Sequence, residues 1–136
     1  MAEDLTAETF ARALERWRRY DPSRGSARTW LCQLARSTAL DFFRAEERRR
    51  RREGRYALDI QEAEQAAFGE GLSPEFEGAL SRLSAAEREV VALRVVLELD
   101  SESAGRVLGI SATACSTRLS RALQKLEKEV SAGVAA

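Results

Sequence analysis

The sequence predicts an all-α chain: two small helical domains joined by an acidic linker, the C-terminal one a four-helix unit containing a helix-turn-helix. Three observations predict it. Apolar residues recur at helical spacing, and serine, aspartate, proline and glycine punctuate them at helix starts and stops. In addition, residues 57–73 hold four acidic residues and no basic one, a stretch read as a linker with transient helix at most. At 136 residues the chain has room for one modest or two small domains, and 44% hydrophobic content suffices for real cores.

A first helix is expected from about Glu3 to Arg19, with Phe10, Ala13, Leu14 and Trp17 as its inward stripe. It stops at Tyr20-Asp21-Pro22, and turn residues Ser23 to Ser26 make the loop that follows. A second helix starts near Ala27, with Trp30, Leu31, Leu34, Ala35, Thr38 and Phe42 facing inward. It runs into five consecutive arginines, Arg48 to Arg52, flanked by Glu47 and Glu53. That block is either a solvated helix end or a phosphate-binding patch.

After the linker, Ser73-Pro74 is a serine cap with proline in the first helical turn, and Phe76, Ala79, Leu80 and Leu83 give the stripe. Ser84-Ala-Ala-Glu87 is a capping box, starting a helix near Ala85 that carries Val90, Leu93 and Leu97. Asp100 caps a short helix over Ser101 to Leu108, and Gly109 supplies the left-handed residue that ends it. Ile110 plugs the corner and Ser111 caps the last helix, whose inward stripe is Cys115, Leu119, Ala122, Leu126 and Val130. Ser111, Thr113, Ser116, Thr117, Arg118, Ser120, Arg121 and Lys125 are left on other faces. A helix seated in a major groove needs such hydrogen-bonding and cationic side chains outward, but a small bundle with a solvated polar face fits these residues as well. Ser131 to Ala136 read as a frayed tail.

Composition narrows the function. Net charge is zero, yet residues 1–56 hold 14 basic and 9 acidic side chains whereas 57–136 hold 8 and 13. No apolar run approaches a membrane span and no secretory signal is seen, so a cytoplasmic protein is expected. Cys32 and Cys115 lie on apolar stripes, outside any paired spacing, and read as buried reduced thiols. Histidine is absent, and there is no phosphate-cradling glycine loop or nucleophile motif, so no enzyme activity, metal or cofactor is expected. The carboxylate pairs Glu46/Glu47 and Glu87/Glu89 read as solubilising charge.

Two linked motifs, in order, carry a resemblance. Residues 3–10 (EDLTAETF) and 29–36 (TWLCQLAR), with Ala39 to Asp41 and Arg44, resemble the polymerase-clamp-binding and promoter-melting segments of extracytoplasmic-function sigma factors. Residues 83–90 (LSAAEREV), 108–111 (LGIS) and 117–122 (TRLSRA) resemble that family's −35-reading domain. The resemblance implies a two-domain subunit over 1–56 and 74–131 that binds core RNA polymerase through the β′ clamp and β flap and directs it to promoter DNA. Asp4, Leu5, Glu8 and Phe10 would dock on the clamp. Arg24, Ser26, Arg28, Trp30, Arg36, Arg44, Arg48 and Arg49 would hold the −10 element and upstream phosphate, with Trp30 either stacked on an unpaired base or part of the core. Ser111, Thr113, Ser116, Thr117, Arg118, Ser120, Arg121 and Lys125 would meet the −35 element, Arg118 and Arg121 foremost.

The chain also departs from the family pattern. It begins without two helices that normally precede Glu3, so a shortened −10-reading half is expected. Ala7 stands for glutamine, Ser37 for asparagine and Ser116 for lysine, the last removing a phosphate contact. Ala104 and Gly105 replace bulkier residues, which predicts a loose second helix in the last domain. Two other functions compete: a DNA-binding regulator without promoter-opening activity, and a module that binds polymerase or an anti-sigma protein without touching DNA. The terminus Gly133 to Ala136, with its two final alanines, reads either as a tag for unfoldase-proteases or as an unimportant tail.

Overall fold

The computed structural model describes residues 1–54 and 73–135, and the expected linker over 57–73 lies outside them but for Ser73. Among the described residues every regular element is helical. The chain divides into two compact units, Met1–Ala57 and Leu58–Ala136.

The N-terminal unit is two helices and a built corner. Helix α1 spans Ala2–Arg16 and gives way to a 3-10 turn over Trp17–Arg19, three residues short of the regular helix expected. It packs on α2, Ala27–Glu53, but of the expected stripe only Ala13 is buried. Phe10, Leu14 and Trp17 are exposed, Leu14 by 82%, whereas Thr9 and Ala13 are buried and Leu5 is half-buried. The buried face is thus centred on Thr9 and Ala13, about 100° around the helix from Phe10 and Leu14. Short side chains at Thr9 and Ala13 suit a close approach of α1 to α2, whose own buried residues are Thr29, Leu34 and Thr38. Thr9 does this at little polar cost, since its hydroxyl donates to the Leu5 carbonyl at 2.7 Å. An Arg12–Asp41 ion pair of 3.0 Å links the two helices. Ala35, also expected inward, is exposed.

The corner is aromatic. Trp17, Tyr20 and Trp30 form a triangle with ring centroids 5.5–6.0 Å apart, and the Tyr20 hydroxyl donates to the Gly25 carbonyl at 3.1 Å. Asp21 accepts from the Ser23 hydroxyl and amide, which together hold its carboxyl below the usual carboxylate range. Ser26 accepts from the Thr29 amide and starts α2, which continues through the arginine block to Gly54.

The C-terminal unit follows the predicted punctuation closely. Helix α3 spans Pro74–Ser81 behind the Ser73 cap, and α4 spans Ala85–Val91 with both hydrogen bonds of the Ser84–Glu87 capping box present. One feature was not anticipated: α4 widens into a π-helical turn, Ala92–Val96. The turn is closed by the Leu97 amide on the Ala92 carbonyl and the Leu99 amide on that of Leu93, with Glu98 in a left-handed conformation at φ 55°. Arg94 donates to the Leu99 carbonyl at 2.7 Å and holds the chain as it enters α5.

Helix α5 spans Ser101–Leu108 behind Asp100, whose carboxyl is held low by the Ser103 amide. Its interior is not loose. Ala104 is fully buried and Gly105 is buried, and a Cβ at position 105 would lie 2.6 Å from the Ile110 carbonyl oxygen. The Gly105 carbonyl accepts from the amides of Gly109 and Ile110, so glycine is what allows the turn to fold back onto the helix. Gly109 takes the predicted left-handed conformation, φ 71°. Helix α6, Ala112–Ala135, packs against α3, α4 and α5 through Cys115, Ala122 and Leu126. It continues as helix past Ser131, where a frayed tail was expected.

Candidate nucleic-acid interface

Helix α6 is presented by its own N-terminal turn. Ser111 accepts from the Ala114 amide at 3.1 Å, fixing where the helix starts after the Gly109 corner. From there Thr113, Thr117, Arg118 and Arg121 line one wall of a groove of about 590 Å³ together with Ser111 and Ala114. The opposite wall is the start of α4, Ser84, Ala86 and Glu87. Arg118 and Arg121 make no ion pair among the described residues, so their guanidinium donors are available to an anionic or acceptor-rich ligand.

Not all of the expected set converges here. Ser116 lies against α5, its hydroxyl 2.8 Å from that of Ser101. Ser120 is exposed but does not line the groove. Lys125, one turn beyond Arg121, is engaged by Glu87 at 2.9 Å. Glu87, expected as solubilising charge, is instead held in place: the Ser84 amide and then Lys125 push its carboxyl down to about 2. Its capping role was legible locally, but its place on the groove wall depends on contacts 38 residues apart. A second cross-link, Arg82 to Glu129, ties the end of α3 to α6.

The candidate residues of the N-terminal unit fall into separate groups. Asp4, Glu8 and Phe10 are exposed on α1, Leu5 is half-buried, and Glu8 pairs with Arg12 at 3.3 Å. Ser26 is a helix cap, and Trp30 is half-buried within the aromatic triangle. Arg24 and Arg28 are exposed at the corner, whereas Arg36 is half-buried further along α2. Arg44 and Arg48 share a face near the far end, about 24 and about 30 Å from Arg28 along the axis at 1.5 Å per residue. In the arginine block, Arg49 and Arg51 are neutralised by Glu46 and Glu47, whereas Arg44, Arg48 and Arg52 make no ion pair among the described residues. The block is therefore partly a solvated helix end and partly an open cationic face.

Neither cysteine is bonded: Cys115 is fully buried and Cys32 half-buried, with burial raising the Cys32 thiol and nearby Arg28 opposing it. Among the described residues no group of three metal-ligating side chains occurs, and no helix is long and apolar enough to cross a membrane.

Comparison with known proteins agrees with this geometry. Residues 1–49 match the Sigma-70 region 2 family and residues 74–126 match Sigma-70, region 4. The chain is 31% identical to the ECF RNA polymerase sigma factor SigM of Bacillus subtilis, over 98% of this chain and 82% of that protein. It is 32% identical to the probable RNA polymerase sigma-C factor of Mycobacterium bovis, over 92% of this chain and 68% of that one. Its fold matches the sigma factor RpoE in complex with the anti-sigma factor NepR from Bartonella quintana, with a TM-score of 0.69 at 22% identity, over 95% of this chain and 80% of that one. The chain belongs to the extracytoplasmic-function sigma factors of the sigma-70 family, the subunits that bind core RNA polymerase and direct promoter-specific initiation.

Proposed function

We propose that the groove between α4 and α6 is the −35-reading surface of this sigma factor, with Arg118 and Arg121 as its principal base or phosphate contacts and Ser111, Thr113 and Thr117 as supporting donors. The observation that carries this is the convergence of two unpaired arginines and three hydroxyl side chains on one groove at the start of a helix-turn-helix second helix. Arginine donates two parallel hydrogen bonds to guanine O6 and N7, and threonine hydroxyls serve either base edge or phosphate. Ser116 and Ser120 lie outside this set. Selection of duplexes from a random-sequence pool by the full chain tests it. Enrichment of a common motif, lost in Arg118→Ala/Arg121→Ala, is expected; equal recovery of all sequences would refute it.

In the N-terminal unit, Arg24 and Arg28 meet the −10 element at the aromatic corner, while Arg44 and Arg48 lie along upstream phosphate. Trp30 acts here as support for the corner rather than as a stacking platform. Helix α1, through Asp4, Glu8 and the exposed Phe10, docks on the β′ clamp, and the β flap contacts the C-terminal unit. The exposed stripe Phe10, Leu14 and Trp17 supports a protein partner on α1. An anti-sigma protein, like the one that RpoE carries, would compete for that face. Leu14→Glu should therefore weaken capture of core polymerase several-fold in a pull-down without unfolding the chain, and unchanged capture would place the clamp contact elsewhere. Such a subunit works in the cytoplasm and catalyses no reaction itself. Recognition of the C-terminal alanines by an unfoldase-protease is a separate proposal: replacing Ala135 and Ala136 by Asp should lengthen cellular half-life.

A further inference from the structure

Lys125 shares the face of α6 that carries Arg118 and Arg121, yet its charge is already taken. Its Nζ sits 2.9 Å from Glu87 Oε1, the oxygen that also accepts from the Ser84 amide at 3.0 Å. The two partners are not equivalent. The Glu87 side chain is only 12% exposed and is held by the capping box, whereas that of Lys125 is 57% exposed on a flexible stem. The carboxylate is thus the fixed half of the pair and the ammonium the adjustable half. Glu87 is also part of the groove wall facing Arg118 and Arg121. Of Arg118, Arg121 and Lys125 on this face, the two arginines make no ion pair among the described residues and the lysine is neutralised from within.

We propose that Glu87 stands in for a DNA phosphate, holding Lys125 off the duplex and setting the affinity of the groove below what three free cations would give. The inference rests on the −35 reading of that groove. A phosphate could recruit Lys125 only by displacing the carboxylate, which would leave Glu87 unpaired beside a polyanion. The ion pair therefore releases no counterion on binding, while each open arginine that meets a phosphate does. Affinity and salt dependence are tuned by a residue that need touch no nucleic acid.

A double-mutant cycle tests this by fluorescence anisotropy, using the full chain and a duplex that the wild type has selected from a random-sequence pool. Glu87→Gln keeps the capping box, because glutamine also accepts at that position, but removes the ion pair. It should steepen the slope of log affinity against log salt by about 0.9 and raise affinity about five-fold at 0.15 M salt. Lys125→Met alone should leave the salt slope little changed and weaken binding modestly, because it leaves Glu87 unpaired beside the duplex, and it should abolish the gain in slope in the Glu87→Gln background. An unchanged slope for folded Glu87→Gln overturns the proposal. So does a loss of about 0.9 in slope for Lys125→Met alone, since Lys125 would then already be on a phosphate. That second arm replaces an exposed side chain and stands whether or not Glu87→Gln folds. If the wild type selects no duplex, the −35 reading itself fails; if it selects one and the cycle shows no coupling, only the role of Glu87 fails.

Discussion

Replacing Gly105 by alanine should destabilise the C-terminal unit, against the ordinary expectation for a helix interior. Propensity alone favours alanine by about 1 kcal/mol. Opposing it, the new Cβ would sit 2.6 Å from the Ile110 carbonyl oxygen and 3.4 Å from the Ser111 carbonyl carbon and oxygen, all backbone atoms with no rotamer to yield. Overpacking of this kind costs about 1–3 kcal/mol. Moving the turn also strains the hydrogen bonds from Gly109 and Ile110 to the Gly105 carbonyl, each worth about 1 kcal/mol. The balance is a net loss on the order of 1–3 kcal/mol, or roughly 4–8 °C in melting temperature per kcal/mol for a unit this small. Urea unfolding of the full chain by far-UV circular dichroism measures it. Both tryptophans, Trp17 and Trp30, lie in the N-terminal unit, so their fluorescence transition is an internal control and should not move. Equal or greater stability of the Gly105→Ala chain would refute the close approach at this turn.

Other outcomes follow from the same packing and electrostatics. Arg118→Ala and Arg121→Ala should each weaken binding to a selected duplex with no change in the circular dichroism melt, and each that meets a phosphate should lower the salt slope by about 0.9. Glu87 is depressed from an ordinary carboxylate value to about 2, so its stabilising contribution is complete above the unfolded value near 4.5 and is lost as pH falls toward 2. The wild type should therefore lose more melting temperature than Glu87→Gln between pH 6 and pH 3. On α1, Leu14→Glu should leave stability within about 0.5 kcal/mol, because the side chain is exposed. Ala13→Leu should cost about 1–3 kcal/mol by overpacking against α2, and urea midpoints that rank the two in the opposite order would restore the aromatic stripe as the buried face.

These contrasts mark what local chemistry can and cannot announce. The Ser84–Glu87 box, the Asp100 and Ser111 caps and the left-handed Gly109 were legible because each is decided within four residues of chain. The buried face of α1 was legible only at Ala13, because hydrophobicity favours Phe10, Leu14 and Trp17 whereas packing on α2 buries the small Thr9 and Ala13. Gly105 read as a weakness for the same reason: its value lies in the proximity of Ile110, which propensity does not contain. In the groove, Arg118 and Arg121 follow from helical periodicity. The withdrawal of Lys125 and the turning of Ser116 toward Ser101 depend on partners 38 and 15 residues away. The π-helical turn over Ala92–Val96 has no sequence signal that separates it from ordinary helix.

The central claim, that two helical units together direct polymerase to a promoter, is tested most directly by run-off transcription in vitro. Core RNA polymerase is combined with this chain on a template library built from selected duplexes followed by random −10 regions. Discrete transcripts that start at a fixed distance from the selected motif and vanish with Arg118→Ala/Arg121→Ala are predicted. Tight binding to core polymerase and to duplex DNA with no start-specific transcript would contradict it.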